Sequence, residues 1–105
     1  MKNEQIDVVS TNRVYSKMMN LSTAHISEET AIWLQEGNHP SLIFYTKSVY
    51  GFWIMVPPEQ EDWGNISDVP DELRTILHYA NEHCCAWVML DCDYDQVDGL
   101  PTFDW

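Results

Sequence analysis

A chain of 105 residues, 45% hydrophobic and 12% aromatic, has the size of one domain and enough apolar mass for one core, which excludes disorder over most of its length. Its 17 acids and 5 bases leave a net charge of −12, and the imbalance is lopsided: residues 1–50 hold five acids against four bases, residues 51–105 hold twelve against Arg74 alone. Such a surface repels nucleic-acid phosphates and anionic membranes and attracts basic protein surfaces or cations, so direct nucleic-acid binding is the function most readily excluded.

Residues 1–14 show no clear period and read as a flexible arm or an added edge strand ahead of a single α/β domain over 15–105. Their opening stretch, MKNEQIDVVS, is too polar for a signal peptide, and no run reaches the roughly 20 apolar residues of a spanning helix, so a cytoplasmic location is expected. Met18 to Ser22 reads as a short strand. Ser27 is placed to cap a helix through Glu36, with Glu28 and Glu29 at the positive end of its dipole and Gly37 as its stop.

Leu42 to Thr46 and Tyr50 to Val56 are rich in β-branched and aromatic residues and predict a hairpin, ended by Pro57 and Pro58. An acidic loop, Glu59 to Ser67, leads to the best-marked element. Asp68 can cap it, Pro70 falls in its first turn, and Leu73, Ile76, Leu77, Ala80 and Cys84 recur at helical spacing. Ala86 to Leu90 is apolar at every position, as suits a strand covered on both faces. The order is βαββαβ, a mixed sheet with two helices, which matches the ferredoxin-like pattern of two split βαβ units. One feature disagrees with that pattern: its last strand lies at an edge, whereas Ala86 to Leu90 reads as central.

Three groups of residues could carry chemistry. Asp91, Asp93 and Asp95 follow the last strand with the spacing of the first three EF-hand ligands, but Gln96 stands in the place of the turn glycine and Thr102 in that of the bidentate Glu. His83, Cys84, Cys85 and Cys92 are zinc-type donors without zinc-type spacing, and Cys84 falls on the apolar helix face as a packing residue. His25 lies between a strand and a helix start, where catalytic residues are often presented, yet no nucleophile elbow or oxyanion site accompanies it. No glycine-rich phosphate loop exists among four glycines, and neither a metal nor an organic cofactor is expected.

Of the five tryptophans, Trp33 and Trp87 read as core and Trp53 as a strand residue. Trp63 sits among acids, between Asp62 and Gly64, as a protein-contact anchor would. The expected partner-binding set is therefore Glu59, Glu61, Asp62, Trp63, Asp93, Asp95 and Asp98.

Three stretches in order, LSTAHISEET (residues 21–30), YGFWIMVP (50–57) and GLPTFDW (99–105), resemble a small uncharacterised bacterial family, a domain of unknown function met on plasmids, phages and integrated elements. The resemblance spans about residues 18–105. It brings no reaction, but implies a setting in which neighbouring genes serve anti-restriction and toxin–antitoxin functions. Cys84 stands where the family resemblance leads one to expect a helix-ending glycine. The leading expectation is a non-enzymatic acidic binding protein of a mobile element, an inhibitor of anti-CRISPR or anti-restriction type that occupies a basic, nucleic-acid-binding surface of a host protein. The rivals are a small metal-dependent or histidine-assisted hydrolase using His25, Asp91, Asp93 and Asp95, and a homodimeric accessory subunit or small-ligand sensor.

Overall fold

The computed structural model describes residues 6–11, 14–37, 39–48 and 51–105. Residues 1–5, 12 and 13 of the predicted arm, and Tyr50 of the predicted second hairpin strand, lie outside the described residues. In chain order the elements are β1 (Ile6–Thr11), β2 (Val14–Ser22), a 3-10 turn (Thr23–His25), α1 (Glu28–Glu36), β3 (Phe44–Ser48), β4 (Gly51–Met55), a second 3-10 turn (Gln60–Asn65), α2 (Asp71–Glu82) and β5 (Trp87–Asp91).

The strands form one mixed sheet in the order β1-β2-β5-β4-β3, with β2 and β5 parallel and the other neighbours antiparallel. The α/β class, with a mixed sheet and two helices, is as expected. The strand order is not the ferredoxin-like one, because β5 is central. Its composition explains this: Val88, Met89 and Leu90 are all buried, and only a strand paired on both sides shields both its faces and its backbone.

Register sorts the two faces. Met19 pairs with Val88, Leu21 with Leu90, Phe52 with Leu90 and Ile54 with Val88, and these side chains form the core with Ala31 and Leu34 of α1 and Leu73, Ile76, Leu77 and Ala80 of α2. Trp53 and Trp87 fall on the opposite face, half-buried, with ring centroids 5.6 Å apart.

The helix ends show which local signals acted. Ser27 caps α1 as predicted, its Oγ accepting from the Thr30 N–H, and Gly37 ends the helix at φ 73°. Asp68 does not cap α2; its carboxylate accepts from Ser41 Oγ, and Pro70 occupies the cap position without a side-chain bond. Glu72, in the first turn of α2, reaches instead to the start of α1 and accepts from the N–H and Oγ of Ser27 and from Oγ1 of Thr30. The helix N-termini are thereby clamped side by side.

Cys84 is not a packing residue. It is exposed and left-handed at φ 60°, and its N–H bonds to Asn81 O while that of Cys85 bonds to Ala80 O, the paired bonds of a Schellman motif. The expected glycine position is real, and a cysteine fills it. Cys85, one residue on, is the buried thiol, and burial pushes its pKa up.

Candidate functional site at the ends of the parallel strands

Because β2 and β5 are parallel neighbours, Ser22 and Asp91 finish side by side, and the segments that follow leave the sheet at the same end. In open sheets with helices, the crevice beyond such strand ends is where ligands bind. Here β2 continues into the Thr23–His25 turn and α1, while β5 continues into the C-terminal segment, which folds back over that turn. The fold-back is held by bonds from the Phe103 N–H to Ala24 O (2.8 Å), from Trp105 Nε1 to Ile26 O (2.9 Å) and from the Ser22 N–H to Asp95 O (3.3 Å).

His25 is the pin of this arrangement. It is completely buried, accepts from the Val97 N–H at Nε2 (2.9 Å) and meets Pro101 O at Nδ1 (2.7 Å). A carbonyl can only accept, so Nδ1 carries the proton and the ring is the neutral Nδ1–H tautomer. Both nitrogens are spent on backbone and neither reaches solvent. The geometry offers no lone pair to a substrate, so His25 is a junction residue here, in contrast to its role in the hydrolase reading.

Asp91, Cys92 and Asp93 bring ligand-type atoms within 4.8 Å of one another. The cluster is already neutralised in part. Oδ1 of Asp91 accepts from the Asp93 N–H (3.0 Å), and Oδ2 lies 2.7 Å from Nζ of Lys47. The ion pair, with the Asp93 N–H, holds the Asp91 carboxyl below its ordinary value, and Asp91 correspondingly raises the pKa of Lys47. A tethered ammonium therefore sits where a divalent ion would need an open carboxylate edge. His83, Cys84 and Cys85 precede β5 and Cys92 follows it, so the four zinc-type donors are split between opposite ends of that strand.

The seven expected partner-contact residues divide in the same way. Asp93, Asp95 and Asp98 are exposed in the segment after β5. Glu59, Glu61, Asp62 and Trp63 follow β4, which ends where β5 begins: the Val56 N–H bonds to Ala86 O. They lie beyond the other end of the sheet. Trp63 is half-buried there, stacked on His78 at a centroid distance of 4.3 Å and packed against the core, and Asp62 accepts from the Glu59 N–H. Trp63 thus turns partly inward, onto His78 and the core.

Between the C-terminal segment and the start of α1 lies a cleft of about 440 Å³ lined by Ser22, Thr23, Glu28, Cys92, Phe103 and Trp105, with Ala24 and Gln96 completing it. That volume is within the range of small-ligand pockets.

A family model described as the C-terminal domain of DUF5983, a family of unknown function, matches residues 18–105. The chain belongs to that family. Searches of the curated proteins and of the solved structures return no match. The DUF5983 match opens at Met18, inside β2, so β1 lies ahead of it, while α1, α2, β3 to β5 and every described residue of the cleft lie within it.

Sequence reasoning placed Asp93, Asp95 and Asp98 at this end of the sheet but missed Glu28, Phe103 and Trp105 as its walls. Glu28 reads in sequence as a helix-dipole residue, and nothing local to Phe103 and Trp105 pairs them with it. Only the parallel pairing of β2 with β5 brings them together.

Proposed function

We propose that this DUF5983 domain is a non-enzymatic protein-binding module that docks on a basic surface of another protein through the end of the sheet where β2 and β5 finish. One observation carries the reading. Glu28, Glu29, Asp93, Asp95, Asp98 and Asp104 are all exposed on the segments that leave this end, while of the bases among the described residues Lys47 is paired here with Asp91, Lys17 bonds His83 O and Arg74 pairs with Asp71. An excess of charge of one sign raises the encounter rate with an oppositely charged partner and selects against phosphate-bearing ones. The spent nitrogens of His25 and the Lys47 cover on Asp91 favour binding over hydrolysis.

In the setting of a mobile element the basic surface is the nucleic-acid channel of a host defence complex, and occupying it makes the domain an inhibitor. The test is parallel capture from cell extract with three baits, read by mass spectrometry. The parent and a Glu59→Gln/Glu61→Gln variant should retain the same basic protein, and an Asp93→Asn/Asp95→Asn/Asp98→Asn variant should lose it. Identical capture by all three baits counts against the reading.

A further inference from the structure

The cleft beside the acidic segment has walls that acids alone do not explain. Trp105 is 44% exposed, one of four large hydrophobic residues so exposed among those described. It is nonetheless fixed, because its indole N–H bonds to Ile26 O, and the Phe103 N–H two residues earlier bonds to Ala24 O. Both aromatic residues line the 440 Å³ cleft, with Glu28 in the same lining. Among the described residues, no lysine, arginine or histidine lines it.

An aromatic face beside an acidic residue, in a recess with no base among its described lining, suits a planar cation. Guanidinium fits this better than ammonium: it stacks on aromatic faces, is more weakly hydrated, and donates in a fixed fork to a carboxylate. Phosphate and carboxylate ligands are disfavoured by Glu28 and by Asp93 and Asp95 nearby.

We infer that the cleft is an arginine pocket: the basic partner inserts one arginine side chain between Phe103 and Trp105, with its guanidinium on Glu28. This rests on the proposed docking of a basic protein and names the contact that fixes its register. The acids outside the cleft steer the encounter, and the pocket reads one side chain.

The probe is a capped arginine, N-acetyl-arginine amide, titrated into the isotopically labelled full chain and followed by NMR, with capped citrulline as its uncharged isostere. Saturable shifts are expected at the Trp105 indole and the Gln96 side-chain amide, with none at Trp63 beyond the other end of the sheet. Citrulline should bind at least tenfold more weakly. Glu28→Gln should weaken the arginine titration severalfold, and Phe103→Leu should do the same while the backbone spectrum stays that of a folded chain.

Equal shifts with citrulline, no saturation, or an arginine titration unchanged in Glu28→Gln overturns the pocket. That failure is separable from failure of the docking reading. A basic protein captured by the parent and lost from the Asp93/Asp95/Asp98 variant, together with a cleft silent to arginine, would leave the docking surface standing and remove the pocket.

Discussion

Lys47 Nζ and Asp91 Oδ2 lie 2.7 Å apart although their strands, β3 and β5, are separated by the whole width of β4. The β3–β4 register shifts between Thr46 and Ser48, which places Lys47 at a β-bulge, and bulges re-aim side chains. The bridge occupies Oδ2 of Asp91 and offsets its charge. Calorimetric titration of the purified protein with Mg²⁺, Ca²⁺ or Zn²⁺ should therefore show no stoichiometric binding. One-to-one micromolar binding that disappears in Asp91→Asn would reinstate the metal-dependent reading.

His25→Ala should cost about 2–4 kcal/mol in urea unfolding. The change leaves the Val97 N–H and the Pro101 carbonyl without their partner, and each such loss costs about 1–3 kcal/mol in a buried site. A variant as stable as the parent would show that the C-terminal segment is held by other contacts.

Glu72 links stability to pH. Burial pushes its carboxyl up, but the hydrogen bonds from Thr30 and Ser27 together outweigh this and set it below its ordinary value of 4.5. A carboxyl depressed in the folded state stabilises the fold above its unfolded value, and that contribution is lost as pH falls through the folded value. Denaturant midpoints of the parent should thus drop as pH falls below about 4.5, and Glu72→Gln should be less stable at neutral pH with a shallower drop on acidification. Parallel pH curves for the two proteins would refute the linkage.

Cys84→Gly should stabilise the chain by about 1 kcal/mol, since a side chain in the left-handed region costs roughly 1–2 kcal/mol and glycine avoids most of it, less its greater unfolded-state entropy. Thermal melting of the two proteins decides it; a lower midpoint for the glycine variant would mean that the Cys84 side chain contributes contacts of its own.

Trp105→Ala should cost about 1–2 kcal/mol, the scale of the hydrogen bond to Ile26 O together with the partial burial of an indole that is 44% exposed. A loss near the roughly 3–5 kcal/mol of a buried tryptophan would place it in the core instead.

Much of the fold was legible because its signals are local. Ser27, Gly37 and the Leu73-to-Ala80 spacing marked helix limits and faces correctly, and the unbroken apolar run before Asp91 marked a central strand. Non-local contacts were not legible. Asp68 reads in sequence as the cap of α2, but its carboxylate finds Ser41 Oγ across the fold, and the acids flanking Trp63 in sequence do not reveal His78 as its spatial neighbour. The helix limit at Cys84 was obscured because cysteine counts as a core residue by composition, whereas the backbone there needs a left-handed conformation. For the candidate site, the aspartates after β5 were visible in sequence, but the cleft walls come from residues about 75 positions apart in the chain, joined through His25, Phe103 and Trp105.

The central claim is that the charge beyond the ends of β2 and β5 drives association with a basic partner. Its most direct test is the association rate on the captured partner, measured from low to high ionic strength for the parent and the Asp93→Asn/Asp95→Asn/Asp98→Asn variant. Exposed charges are screened beyond about 8 Å at physiological salt, and steering charges act on encounter. The parent rate should fall steeply with salt, the variant should start slower and fall less, and both should melt at similar temperatures. Equal rates for the two proteins, or a parent rate indifferent to salt, would contradict the account.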